Sequence, residues 1–206
     1  MSRRRIAAAL GLLLVVCGAT VALAATRGGR AAADRPALRG DAVWAAGSRP
    51  APGFALHDQH GRAVSLASLH GQPLLLVFLD SKCRTFCPVV GRQLGAAQRK
   101  LGDRPVRLVT ISVDGADTPA SARAAARHWR WTGPWTWLMG THAELARAWR
   151  GYGISVKPTP ADITHSIAVF LIDAQGNERA GFLPPLTLPD VISDVRALRR
   201  EAGHVA

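Results

Sequence analysis

The residues best suited to chemistry are Cys83 and Cys87, in the run Cys83-Arg84-Thr85-Phe86-Cys87-Pro88. A thiolate can attack a disulfide, and it can also ligate a soft metal ion. Three residues separate the two cysteines, where thiol–disulfide exchange proteins usually carry two. If the turn is helical, positions i and i+4 put both sulfurs on one face, so that they can pinch a metal ion or close a disulfide. Two thiolates suit Cu(I), and one imidazole would complete a three-coordinate site. A purely stabilising disulfide is disfavoured, because it would close a very short loop and constrain the unfolded chain least. Lys82 and Arg84 bring positive charge beside Cys83, and Cys87-Pro88 stands where a helix N-terminus would favour a thiolate. A peroxidase reading fails at Asp80: a carboxylate three residues before Cys83 opposes thiolate formation.

A third ligand must come from elsewhere in the chain. His57, His60 and His70 fall in an early turn region, His128 and His142 at helix ends, and His204 in the tail. Each of these reads as a solvated surface histidine. His165 differs, because it joins the polar loop Lys157–Thr164 to the apolar run Ser166–Ile172.

These residues need a frame to hold them. Pro73–Leu79 and Val106–Val113 are continuous apolar runs that predict strands buried on both faces. Between them, Pro88–Leu101 predicts a helix with Val89, Leu94, Ala97 and Leu101 on its apolar stripe. Thr118-Pro119 opens a second helix to about Arg130, and Thr141 caps a third through Trp149, stopped by Gly151 and Gly153. Phe54–Asp58 predicts a strand entering a tight turn, and Thr136–Met139 a short strand. Ser166–Ile172 and Glu178–Phe182 form a hairpin across Ala174–Asn177, and a last helix starts at Leu188 and runs to Arg200. Trp129, Trp131, Trp135 and Trp137 predict packing around the inserted segment, with a docking surface as the competing reading.

Strands alternating with helices and closing on a hairpin and a helix predict an α/β fold: a central mixed sheet with helices on both faces. The order resembles a thioredoxin-like three-layer sandwich with an N-terminal extension. The cysteines then follow the carboxyl end of a buried strand, where α/β folds place their sites. In such a fold the loop before His165 lies against the cysteine turn.

The chain also resembles the SCO/SenC family of copper-binding assembly factors. The resemblance rests on Gly53-Phe54-Ala55-Leu56-His57-Asp58, Phe78 ahead of the cysteines, Cys83-Arg84-Thr85-Phe86-Cys87-Pro88 and Ile111-Ser112-Val113-Asp114. It continues through Asp117-Thr118-Pro119, Tyr152-Gly153, and His165-Ser166 leading to Leu171-Ile172-Asp173-Ala174-Gln175-Gly176. It implies that Cys83, Cys87 and His165 are copper ligands. It further implies that the protein delivers copper to, or reduces the thiols of, a respiratory copper centre such as that of cytochrome c oxidase, whose subunit would be the partner. The alternative is a thiol–disulfide oxidoreductase with Cys83 and Cys87 as its redox pair. The family usually has Pro-Asp-Val between the cysteines, so with Arg84-Thr85-Phe86 the acidic residue is lost and a cation appears.

The chain has 206 residues and a formal charge of +12. The charge is not gathered into a basic patch interleaved with aromatics, which argues against nucleic acid. Met1–Arg5 carries three arginines, and Ile6–Ala25 is uncharged and long enough to span a bilayer. Ala22-Leu23-Ala24 also fits a signal-peptide cleavage site, so residues 1–25 read as an anchor or a removed signal. Either reading exports the rest to the extracytoplasmic side, membrane-anchored through residues 6–25 or secreted. Val15-Val16 before Cys17 argues against a lipoprotein, and Cys17 reads as a small apolar residue of that segment. Residues 26–49 are expected to be a tether and residues 50–203 the domain.

Overall fold

The computed structural model describes residues 37–159 and 163–203; the apolar segment 6–25, Cys17 and His204 lie outside the described residues. Among the described residues no helix is long and apolar enough to cross a membrane.

A six-stranded mixed sheet organises the fold, in the order Ala42–Val43 (β1), Glu178–Phe182 (β10), Val169–Ile172 (β9), Leu74–Leu79 (β4), Arg107–Ser112 (β5) and Trp135–Leu138 (β6). Its centre is β4 (Leu74–Leu79), with all six residues buried. β4 runs parallel to β5 (Arg107–Ser112), which runs parallel to β6 (Trp135–Leu138). On its other side β4 pairs antiparallel with β9 (Val169–Ile172), and β9 with β10 (Glu178–Phe182). The continuous apolar run follows from burial on both faces. Leu75, Val77 and Leu79 enter one core with helices α1 (Cys87–Lys100), α2 (Pro119–His128) and α4 (Leu188–Gly203). Leu74, Leu76 and Phe78 enter a second core with α3 (His142–Gly151) and the hairpin β2 (Ala55–His57)/β3 (Ala63–Ser65). The three-layer mixed α/β architecture is therefore as expected.

The helix starts also follow the sequence. Thr118 accepts the Ser121 amide at 3.1 Å and Thr141 accepts the Glu144 amide at 3.3 Å, each within a capping box.

Three expectations are corrected. Val89 is not on the buried stripe of α1: it is 40% exposed, while Cys87, Val90, Leu94, Ala97 and Leu101 face inward. Burial of Cys87 sets the helix phase, and i+3, i+7 and i+10 follow from it. Secondly, the sheet begins before residue 50. β1 (Ala42–Val43) pairs with β10, and the Asp194 carboxylate on α4 accepts the Arg39 and Gly40 amides at 2.8–3.1 Å. A two-residue strand carries no periodicity to read, so that stretch looked like tether. Thirdly, Lys157–Thr164 is not plain loop, since β7 (Val156–Pro158) pairs antiparallel with β8 (Ile163–His165).

Three of the four clustered tryptophans are core, and Trp135 packs half-buried against them. Trp129, Trp131 and Trp137 are buried and stack at centroid distances of 5.5–6.0 Å. Two glycines of α1 make room for them: a Cβ at Gly91 would stand 2.3 Å from the Trp129 ring, and one at Gly95 would stand 2.5 Å from the Trp129 carbonyl oxygen.

Candidate metal centre

Strand β4 delivers the chain to the carboxyl edge of the sheet, and residues 80–86 loop from there into the first turn of α1. Cys87 is the first residue of that helix, fully buried, and Pro88 follows it. Proline suits this position, where its missing amide hydrogen has no intrahelical partner to lose. Cys83 lies ahead of the helix and is half-buried, so the two sulfurs are not an i, i+4 pair on a helical face as the spacing had allowed. Both are free thiols.

The third expected residue arrives from the opposite direction. Val169 on β9 is paired with Val77, so the chain before β9 runs toward the cysteine loop. β8 holds His165 there, with Nε2 at 3.4 Å from the Cys87 sulfur. Its Nδ1 is 3.0 Å from the Ser166 carbonyl oxygen. A carbonyl can only accept, so Nδ1 carries the hydrogen and Nε2 presents a lone pair toward Cys87. This orientation by a backbone carbonyl is the arrangement found behind metal-ligating histidines. Cys83 is brought up to Cys87 but not into a close triad: among the described residues, the group of three potential ligand atoms within 4.8 Å of one another is Asp80, Asp114 and Asp117.

The two thiols have opposite electrostatics. Burial opposes ionisation of Cys83, but bonds from Thr85 and Cys87 outweigh it and hold the thiol below its ordinary value. Thr85 Oγ1 lies 3.5 Å from the Cys83 sulfur. Burial pushes Cys87 far up; the Asp80 amide opposes this, whereas the neighbouring Cys83 and the Asp80 charge reinforce it. The helix N-terminus therefore does not dominate at Cys87, contrary to expectation. Lys82 does not serve Cys83 either, since its ammonium pairs with Asp114 at 2.6 Å and donates to the Ala116 carbonyl at 3.2 Å.

That pairing exposes a supporting group that the sequence left among fold markers. Asp117 accepts the hydroxyls of Ser81 and Ser112, and Asp80 accepts the Lys82 amide at 2.7 Å. The start of the cysteine loop is thus tied to the end of β5 and to the loop after it. Burial raises the Asp117 carboxyl despite the two serines. The motifs Ile111–Asp114 and Asp117–Pro119 carried the signal, but only the fold brings them to Ser81 and Lys82. Of the other histidines, His57 lies on β2 and His142 packs edge-on against Trp149 at 5.4 Å, while His128 ends α2.

Fold and site together define a thioredoxin-like domain with a dithiol turn and a facing histidine. The SCO1/SenC family model matches residues 45–200, and the chain belongs to that family. It is 29% identical over 154 residues to the SCO1 protein homolog of Bacillus subtilis, covering 70% of this chain and 80% of that one. Among solved structures it is similar to Bradyrhizobium japonicum ScoI with copper bound, at 28% identity and a TM-score of 0.64, covering 72% of this chain and 99% of that one. It is also similar to BsSco, a member of the Sco family of cytochrome c oxidase assembly proteins in which a disulfide switch is identified. That match has 25% identity and a TM-score of 0.63, covering 74% of this chain and 94% of that one.

Proposed function

We propose that this chain is an extracytoplasmic copper-binding protein, anchored or exported through residues 6–25. Its cargo is Cu(I), held by Cys83, Cys87 and His165 and passed to an acceptor such as a cytochrome c oxidase subunit. The observation that carries this reading is the Cys87–His165 contact at 3.4 Å, with Nδ1 committed to the Ser166 carbonyl. The donor set fits the ion, since two thiolates are soft ligands and one imidazole lone pair already faces one of the sulfurs. Ligation must release the Cys87 proton, so binding weakens as pH falls. The copper bound to the Bradyrhizobium protein supports the reading.

A second reading is favoured by the inequality of the thiols. Cys83, half-buried and with a lowered pKa, has the character of an attacking thiolate; buried Cys87 has that of a resolving thiol. Cys83 would attack a partner disulfide, forming a mixed disulfide and releasing one partner thiolate. Cys87 would then attack the Cys83 sulfur, closing the Cys83–Cys87 bond and releasing the second. The partner is reduced by two electrons and this chain is oxidised. The disulfide switch of BsSco supports this chemistry, and preparing acceptor thiols is compatible with loading them.

The test is a Cu(I) competition titration of residues 38–206, which contain every described strand and both cores. One ion per chain is expected, with affinity falling by at least about tenfold in His165→Ala and further in Cys83→Ser or Cys87→Ser. Affinity unchanged in all three variants overturns the copper site. Exchange with a disulfide substrate that survives His165→Ala would isolate the redox reading.

A further inference from the structure

Beside the cysteine turn runs a groove between the start of α1 and α2. Cys83, Arg84, Thr85, Pro88, Arg92 and His128 are among its lining residues. Two of these set its charge: Arg84 and Arg92 are exposed cations. Among the described residues no carboxylate lines the groove. Neither arginine nor His128 forms an ion pair among the described residues. The nearby acids are engaged elsewhere, Asp114 by Lys82 and Asp117 by Ser81 and Ser112. Phe86 and Val89, next in sequence to the lining residues Thr85 and Pro88, are 68% and 40% exposed. A concave cationic surface with apolar neighbours and a half-buried thiol in its wall has the composition of a recognition site rather than of a solvated face.

We propose that this groove docks an acidic segment of the protein that exchanges copper or a disulfide with Cys83. The proposal rests on the reading of Cys83 and Cys87 above and adds to it the chemistry of the partner: glutamates or aspartates flanking the acceptor thiol. Arg84 and Arg92 attract the segment, and Thr85 and Pro88 give it a wall beside the sulfur.

The experiment uses residues 38–206, which lack Cys17, and two short peptides identical except that one cysteine is flanked by glutamates or by lysines. Each peptide carries its cysteine as a mixed disulfide with pyridinethiol. The Cys83 thiolate attacks the peptide sulfur, the bond to the pyridyl sulfur breaks, and released pyridinethione reports the rate. At low salt the glutamate peptide is expected to react about tenfold faster than the lysine peptide, with the ratio shrinking at high salt. Arg84→Ser with Arg92→Ser is expected to bring the ratio near one. Neutral dipyridyl disulfide, run in parallel, corrects for any change in the thiol itself. Equal rates for the two peptides, or a preference that survives the double substitution, overturns the groove. Copper affinity of the same variant is read separately. It is expected to match the wild type; in the wild type itself, equal peptide rates with copper bound overturn the groove alone, and a glutamate preference without copper binding overturns the copper reading alone.

Discussion

Cys83 and Cys87, with three residues between them, are chemically unlike, and Thr85 is one reason. Its hydroxyl and amide both stabilise the Cys83 thiolate, whereas Cys87 is buried behind the helix start and stays protonated. Iodoacetamide is therefore expected to modify Cys83 first and to leave Cys87 protected until the domain unfolds. The sign of the pH dependence follows from the direction of the shift. A lowered pKa keeps Cys83 reactive below the ordinary thiol range, and Thr85→Ala moves its rate profile to higher pH. At pH 7 that variant should alkylate about threefold to tenfold more slowly. Mass spectrometry of the labelled sites checks both statements, and equal labelling of the two cysteines in the native protein would refute them. The types Cys, Cys and His announced soft-ligand chemistry in the sequence. The inequality did not, because it comes from burial of Cys87 in the core beneath α1 and from a hydroxyl whose direction only the loop conformation fixes.

Elements set that burial, and α1 shows how. Its inward face alternates large and absent side chains: Val90 and Leu94 fill space, while Gly91 and Gly95 leave it for Trp129. Adding a methyl at Gly91 meets ring carbons at 2.3 Å, a distance the rigid indole and its stacked neighbours Trp131 and Trp137 cannot relieve by a rotamer change. Gly91→Ala should therefore destabilise the domain by about 1–3 kcal/mol, although alanine is the better helix former. Urea denaturation with tryptophan fluorescence measures this, and a stability gain would show that the helix can shift away at no cost. The long elements were legible because apolar runs and capping threonines report burial and helix starts locally. The short strands β1, β7 and β8 were not, because they exist only through their pairing partners, and Val89 was misplaced because helix phase depends on which neighbour is buried. The docking loop that presents His165 was legible as a position but not as a hairpin.

At the scale of the whole molecule, the segment ahead of Pro50 closes the sheet at the end opposite to β6. Asp194 lies 1% exposed on α4, where burial raises its pKa while the Arg39 and Gly40 amides favour its charged form. Asp41 reaches the other way, accepting the Leu183 amide at 2.7 Å just past β10. A chain cut at residue 50 loses β1 and these amides together, leaving the Asp194 carboxylate buried without its backbone donors. Hydrogen bonds to a charged group contribute about 1.5–3 kcal/mol each, so the shorter chain should be less stable than residues 38–206 by at least about 2 kcal/mol. The cause is separable by a double cycle. Asp194→Asn should destabilise the longer chain and be nearly neutral, or stabilising, in the shorter one, because there it removes an orphaned charge. Equal effects in both chains would place the loss in β1 pairing alone. The cysteine loop is held through Asp117 and Lys82, and β8 by pairing with β7, so Cu(I) affinity should be the same in both chains wherever both are folded. A copper affinity that falls with the cut would instead join the N-terminal segment to the site.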